Sequence, residues 1–263
     1  MIKTIRWTPE LVDKFWSGVA QTRLAELNFS RQNAEHLIEL IQSYLKPQGR
    51  HLDFGAGGGD LLKALIDKGY ATAAYEPVQA RVSRFPADIT DHPKYLGQVP
   101  NGERFDVVLM IEVIEHVLEQ NLADVFRQVK SLLTDDGTLI MTTPNAEDLE
   151  LAAAYCPQCE TLFHRWQHLR SFTAESLRAL LSQHGFECLS LSETDFSSIR
   201  TIVEDLRSLN EEVKAMRWRQ ERSVWVRVKR LITGKNMAAR EHQPRFLQGP
   251  CPALLYIGRK VRS

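Results

Sequence analysis

A mostly parallel α/β sheet with helices on both faces is what three observations in this sequence predict. Short apolar runs alternate with helix-patterned segments along most of the chain. The run Phe105-Asp106-Val107-Val108-Leu109-Met110-Ile111 is nearly unbroken in its apolar character, as in a central parallel strand buried on both sides. A third run passes directly into the glycine cluster Gly55-Ala56-Gly57-Gly58-Gly59 and then into a helical stripe.

The elements follow in order. Residues 9–46 read as helices, with Leu37, Ile38, Ile41 and Leu45 at helical spacing and Pro47-Gln48-Gly49 as the stop. His51-Leu52-Asp53-Phe54 is the first strand. Leu61, Leu62, Leu65 and Ile66 form the helix behind the glycines, closed by Gly69. Ala71 to Tyr75 is a second strand ending at Glu76-Pro77, and 105–111 is the next. Leu122, Val125, Phe126, Val129, Leu132 and Leu133 mark a helix. Asp135-Asp136-Gly137 turns into a strand from Thr138 to Thr143. A helix from Ala174 to His184, a strand from Phe186 to Leu191 and a last strand from Ala253 to Gly258 complete the pattern. Right-handed crossovers place the carboxyl ends of the parallel strands on one edge, where such sheets bind ligands.

The 263 residues, 43% hydrophobic and 25% charged, suffice for one large domain carrying an insertion. The expected division is a helical cap at 1–47, a cofactor-binding core at 48–196, a basic helical insertion at 197–250 and the last strand within 251–263. The formal net charge is zero, so whole-chain charge gives no support for a nucleic-acid partner. The four cysteines Cys156, Cys159, Cys188 and Cys251 do not form a disulfide framework pattern. No signal-peptide run or membrane-spanning length is visible, so the expected location is the cytoplasm.

A strand that ends in glycines and opens a helix exposes bare backbone amides to a ligand. Here Asp53 precedes the glycines and Asp60 follows them. Negative charge on both sides disfavours a pyrophosphate and suits a cofactor carrying a cationic amine and sulfonium. Glu76 ends the second strand about twenty residues on, where an acid binds ribose hydroxyls. In these features the sequence resembles the class I S-adenosylmethionine-dependent methyltransferases. The resemblance covers roughly residues 48–192 and implies a Rossmann-like, mostly parallel seven-stranded sheet. It makes Asp53, Gly55, Ala56, Gly57, Gly59 and Glu76 the S-adenosylmethionine residues. Asp88 falls at the adenine position, and Ile111 ends the central strand at the same edge.

Past that strand comes Glu112-Val113-Ile114-Glu115-His116. Were this stretch helical, Glu112, Glu115 and His116 would be neighbours. Two carboxylates and an imidazole suit a divalent cation. Local capping and packing are the simpler alternative. The spelling Glu-x-x-Glu-His resembles the ubiquinone-biosynthesis O-methyltransferases and the small-RNA terminal 2′-O-methyltransferases. In both, a later histidine joins the motif, and His168 fits that slot. The resemblance therefore implies that Glu112, Glu115, His116 and His168 hold one Mg²⁺-like ion, with Glu115, His116 and His168 as the catalytic candidates.

Cys156-Pro157-Gln158-Cys159 with His164 nearby has zinc-ligand spacing, so Cys156, Cys159 and His164 form a second metal candidate. Two reduced cysteines in a substrate loop are the alternative. Residues 214–240 carry nine basic residues, from Lys214 to Arg240, interleaved with Trp218 and Trp225. Such a helix could lie on an anionic membrane or grip phosphates, or pack its apolar face on the domain. Phe15-Trp16 could close over the cofactor. The resulting expectation is methyl transfer to a hydroxyl of a small-molecule, glycan or lipid-linked acceptor. The rivals are an RNA 3′-terminal 2′-O-methyltransferase, metal-independent N- or C-methylation, and an inactive cofactor-binding regulatory protein.

Overall fold

The computed structural model describes residues 3–89, 94–96, 98–196 and 252–261. The chain divides into two compact units, residues 1–194 with 250–263, and residues 195–249. The expected basic insertion and its surface at 214–240 lie outside the described residues.

The first unit begins with a short strand, β1 (Lys3–Thr4), then α1 (Pro9–Ala20) and α2 (Phe29–Ile41), joined by a 3₁₀ turn at Arg23–Leu27. Thr8 caps α1, its hydroxyl accepting the Leu11 N–H at 3.3 Å, with Pro9 just inside. The parallel strands β2 (Arg50–Phe54), β3 (Ala71–Glu76), β4 (Lys94–Leu96), β5 (Phe105–Ile111) and β6 (Leu133–Pro144) follow. Interleaved with them are α3 (Asp60–Asp67), the single turn α4 (Gln79–Val82) and α5 (Leu122–Leu132). A hairpin, β7 (Ala153–Cys156) and β8 (Thr161–His164), precedes α6 (Ala174–Gln183), β9 (Phe186–Thr194) and β10 (Ala253–Lys260).

Seven of these strands form one sheet in the order β4-β3-β2-β5-β6-β10-β9. Strands β4 to β6 pair in parallel, and β10 runs antiparallel to both β6 and β9. Strand β10 lies between β6 and β9, so its backbone is paired on both edges. Leu254, Tyr256 and Ile257 are all buried. The core packs Val108 and Met110 of β5 and Leu139 and Met141 of β6 against Phe126 and Val129 of α5 and Leu177 and Leu181 of α6.

Several elements depart from the sequence expectation. Strand β6 starts five residues early, because Leu133 already pairs with Phe105 before an irregularity carries Thr134–Gly137 past the ladder. Strands β4, β7 and β8 are too short to leave a periodic signature. Hairpin β7–β8 joins β1 in a separate three-stranded sheet, β1-β8-β7. No helix among the described residues is long and apolar enough to cross a membrane.

The order turns back at β2 and β5: successive strands step outward from β2 to β4, then from β5 to β6. This is the switch point where open α/β sheets leave a crevice at the strands' carboxyl ends. Phe54, Glu76, Ile111 and Pro144 all end their strands on that edge.

Candidate active site

Between β2 and α3 the glycine loop holds Gly55, Gly57 and Gly59 at φ +88°, +59° and +82°. These are left-handed conformations that side chains resist. At Gly55 a Cβ would also come within 2.7 Å of Val113 Cγ2. The loop is tied to β3 by the Gly55 and Ala56 N–H groups, which both donate to the Tyr75 carbonyl, at 2.8 and 3.0 Å.

Glu76, only 1% exposed, anchors the same loop from the end of β3. Its carboxylate accepts the Gly57 N–H at 2.7 Å and the Val78 N–H at 2.9 Å. A carboxylate has about four acceptor positions, so this arrangement orients Glu76 and leaves it able to accept from a ligand.

Two cavities meet across this loop. The larger, about 390 Å³, is lined by Trp16, Tyr75, Glu76, Val78, Val113 and His116, among others. The smaller, about 60 Å³, lies against Ser30, Ala56, Gly57, Asp60 and Ile111. Gly55, Arg81 and Glu112 face both. Arg81 stands between them, its guanidinium 4.4 Å from the Trp16 ring centre and 3.9 Å from Glu76 Oε2. Nothing in its sequence neighbourhood singles Arg81 out.

Asp53 lies behind the loop, 2% exposed, and its Oδ2 has no hydrogen-bond partner. Burial, reinforced by the charge of Glu76, pushes its carboxyl up to about 7. This sets a stability slope. The unfolded carboxyl titrates near 3.8 and the folded one near 7, so between these values the folded chain retains a proton that the unfolded chain has lost. Stability therefore falls as pH rises through that window, by about 1.4 kcal/mol per unit, and is flat above it. Asp53→Asn, which cannot ionise, is expected to gain on the wild type from pH 4 to pH 7 and then hold its lead. Urea unfolding of the ligand-free proteins across pH measures this; a constant difference would refute it.

Asp88 sits in a 3₁₀ turn at Ala87–Ile89 with its exposed carboxylate 2.7 Å from Lys63 Nζ. Its neighbour Ile89 is the buried residue of that turn.

After β5 the chain is not α-helical, so the conditional helical adjacency of Glu112, Glu115 and His116 does not arise. Glu112 adopts φ +53°, and a short 3₁₀ turn at Ile114–His116 follows. This geometry turns Glu115 inward beneath β6, where Thr143 Oγ1 donates to its Oε2 at 3.0 Å. Glu115 Oε1 has no hydrogen-bond partner and lies 3.6 Å from His116 Nε2. The His168 ring centre is 4.8 Å from that of His116. Glu115, His116 and His168 offer ligand atoms all within 4.8 Å of one another. Glu112 is not part of that group but borders it and both cavities. Burial raises the Glu112 carboxyl to about 7. Burial, then the charge of Glu112, lifts Glu115 well above the ordinary range. Burial, with His168 beside it, holds His116 well below the usual imidazole value.

Two residues absent from the sequence reading complete this corner. Gln167, fully buried and at φ +63°, accepts the Trp16 Nε1–H at 2.9 Å and donates to the His116 carbonyl at 3.1 Å. It thereby links α1 to the turn after β5, and the Trp16 ring stands edge-on to His116 at 5.0 Å. Glu147, three residues past the end of β6, lies between His164 and His168. Partial burial raises its pKa, but the two imidazoles outweigh that and the net shift is downward. Its only sequence signal was its position just beyond a strand end.

The cysteines are placed elsewhere. Cys156 pairs with Thr161 and Ala153 with His164, so the Cys-x-x-Cys turn and His164 lie at opposite ends of the hairpin. Three ladder positions amount to about 10 Å. The structure therefore does not bring Cys156, Cys159 and His164 together as one set of zinc ligands. Cys156 and Cys159 are free thiols.

A glycine-loop crevice with a strand-end acid, at the switch point of a seven-stranded sheet whose β10 is antiparallel, is the architecture of the class I S-adenosylmethionine-dependent methyltransferases. The chain belongs to the methyltransferase domain family, whose model matches residues 27–191, more than half its length. It is 30% identical over 165 residues to a ubiquinone biosynthesis O-methyltransferase of Azorhizobium caulinodans, covering 57% of this chain and 64% of that one. An uncharacterized methyltransferase of Staphylococcus carnosus is 26% identical over 138 residues, 52% of this chain and 63% of that one. The chain thus spans just under two thirds of the length of these relatives. In fold it is similar to the 1,6-didemethyltoxoflavin-N1-methyltransferase of Burkholderia thailandensis, solved with its substrate and S-adenosylhomocysteine. That likeness has a TM-score of 0.59 at 14% identity and covers 99% of this chain and 94% of that one.

Proposed function

We propose that this protein transfers the methyl group of S-adenosylmethionine to a hydroxyl oxygen of a small-molecule, glycan or lipid-linked acceptor, with a divalent cation assisting. One observation carries the reading: Glu115, His116 and His168 converge within 4.8 Å, and His116 also lines the larger cavity. The unpartnered, buried Glu115 Oε1, with His116 Nε2 3.6 Å away, fits a cation, because such an atom is costly unless a ligand satisfies it. The glycine loop and Glu76 fit S-adenosylmethionine, with Glu76 accepting from ribose hydroxyls and the loop amides facing the amino-acid portion.

The methyl donor supplies an electrophilic carbon on a cationic sulfonium. A divalent cation, when bound, lowers the pKa of a hydroxyl and orients it. The chain's own residues do the rest. Glu115, His116 and His168 hold the cation. Glu112, between the two cavities, places a carboxyl group beside the acceptor. Trp16, Val113 and Val78 wall the larger cavity with apolar surface and exclude water, which strengthens each electrostatic contact. Orientation of the acceptor oxygen against the methyl carbon is the main contribution to rate.

The test is transfer from methyl-labelled S-adenosylmethionine to a panel of phenols, catechols and polyols. Transfer is expected to fall at least about tenfold with a chelator and to return with Mg²⁺ or Mn²⁺. Chelator-indifferent transfer would remove the cation from the reading. Failure of S-adenosylmethionine to bind in calorimetry would overturn it altogether.

A further inference from the structure

The Glu147–His164–His168 cluster shares His168 with the cation site, while Glu147 and His164 stand outside that site's group of ligand atoms. It offers three ligand atoms within 4.8 Å, so a second cation there is the first idea to weigh. The hydrogen bonds argue against it. His164 Nδ1 accepts two backbone N–H groups, from Trp166 at 3.2 Å and His168 at 3.1 Å. Its lone pair is thereby used, and the neutral ring must carry its proton on Nε2. That nitrogen faces Glu147 Oε1 at 3.2 Å, as a donor to it. The nitrogen that a cation would need is therefore occupied by hydrogen.

The same carboxylate takes a second imidazole. Glu147 Oε2 makes a short contact with His168 Nδ1. A carboxylate only accepts, so the His168 proton belongs on Nδ1, and Nε2 keeps the free lone pair. The two imidazoles stack, 19° from parallel with centres 4.3 Å apart, which limits how far His168 can turn.

We infer that Glu147 is a positioning residue: held by His164, it fixes His168 as the Nδ1–H tautomer and presents Nε2 to Glu115 and His116. The inference rests on the cation reading for its purpose but not for its geometry. Carboxylates that hold the far nitrogen of a metal-binding histidine fix its tautomer and ring orientation, and their loss weakens metal binding roughly 10- to 100-fold. His164 is thus removed from the ligand set and becomes the residue that orients Glu147.

Two measurements on the full chain test this. Long-range ¹H–¹⁵N correlation on histidine-labelled protein reports the tautomer of His168, its resonance assigned by its absence in His168→Gln. The wild type is expected to show the Nδ1–H form, and Glu147→Ala a mixture of both tautomers. Titration with Mn²⁺ is expected to weaken about 10- to 100-fold in Glu147→Ala, with S-adenosylmethionine affinity unchanged within about twofold as the sign of an intact fold. Glu147→Gln keeps the side-chain volume and one acceptor oxygen, so it serves if the alanine variant does not fold; the tautomer shift is expected there too. An unaltered His168 tautomer in a folded variant would overturn the inference, as would unaltered Mn²⁺ affinity. If the wild type binds no Mn²⁺, the cation reading falls, and the tautomer experiment still decides the role of Glu147.

Discussion

Glu76→Gln is expected to weaken S-adenosylmethionine binding roughly 10- to 100-fold, the loss that goes with a charged hydrogen-bond partner worth about 1.5–3 kcal/mol. The reason is local. Glu76 ends β3 inside the crevice, and the Gly57 and Val78 N–H groups hold its two oxygens. In this pose it is fixed before a ligand arrives, and rigid acceptors cost little on binding. Glutamine retains the volume and can still accept from one amide, but it turns an NH₂ toward the other. S-adenosylhomocysteine is expected to lose the same factor, because it shares the ribose. A 2′,3′-dideoxy analogue already lacks the hydroxyls and is expected to lose almost nothing further in the variant, the signature of a direct pair in a double-substitution cycle. Equal losses for the ribose and dideoxy ligands would mean that Glu76 acts only by anchoring the loop. Calorimetry with the three ligands separates these outcomes.

Glu115→Gln is expected to abolish detectable Mn²⁺ binding and cut methyl transfer by at least about a hundredfold, with little change in unfolding temperature. Burial and the neighbouring Glu112 hold the Glu115 carboxyl well above its ordinary range, which favours the neutral acid in the cation-free protein. Glutamine is close to isosteric with that neutral form, and its oxygen can still accept from Thr143 Oγ1. The fold therefore loses little. Cation binding needs the ionised form, which glutamine cannot supply. The paired measurement is a thermal melt and a Mn²⁺ titration on the same preparation. A large drop in melting temperature would mean that Glu115 serves the core, and undiminished Mn²⁺ affinity would remove it from the ligand set.

How much of this could be read without coordinates depends on the range of the interaction. The sequence by itself determined the α/β class, the position of each long strand, and the glycine loop with Glu76 beyond it. Those features are local: burial on both faces produces the apolar run of 105–111, and left-handed backbone demands glycine at 55, 57 and 59. It also placed Glu115 and His116 among the candidates, since a strand end at the switch point is where chemistry collects, and the resemblance to the Glu-x-x-Glu-His methyltransferases added His168. Only the tertiary structure decided which of the candidates meet. Glu112 departs from helical spacing because its backbone turns left-handed, a conformation that its sequence neighbours do not announce. Cys156 and Cys159 part from His164 because they stand at opposite ends of a hairpin too short for periodicity to reveal. Glu147, Gln167 and Arg81 enter the site through contacts across many residues of sequence, as in the Trp16–Gln167 pair, 151 positions apart. Such pairings depend on how strands and loops are ordered in space. The glycine loop needs only its own residues, whereas the proposed cation site needs the turn after β5 and the loops after β6 and β8 to arrive together.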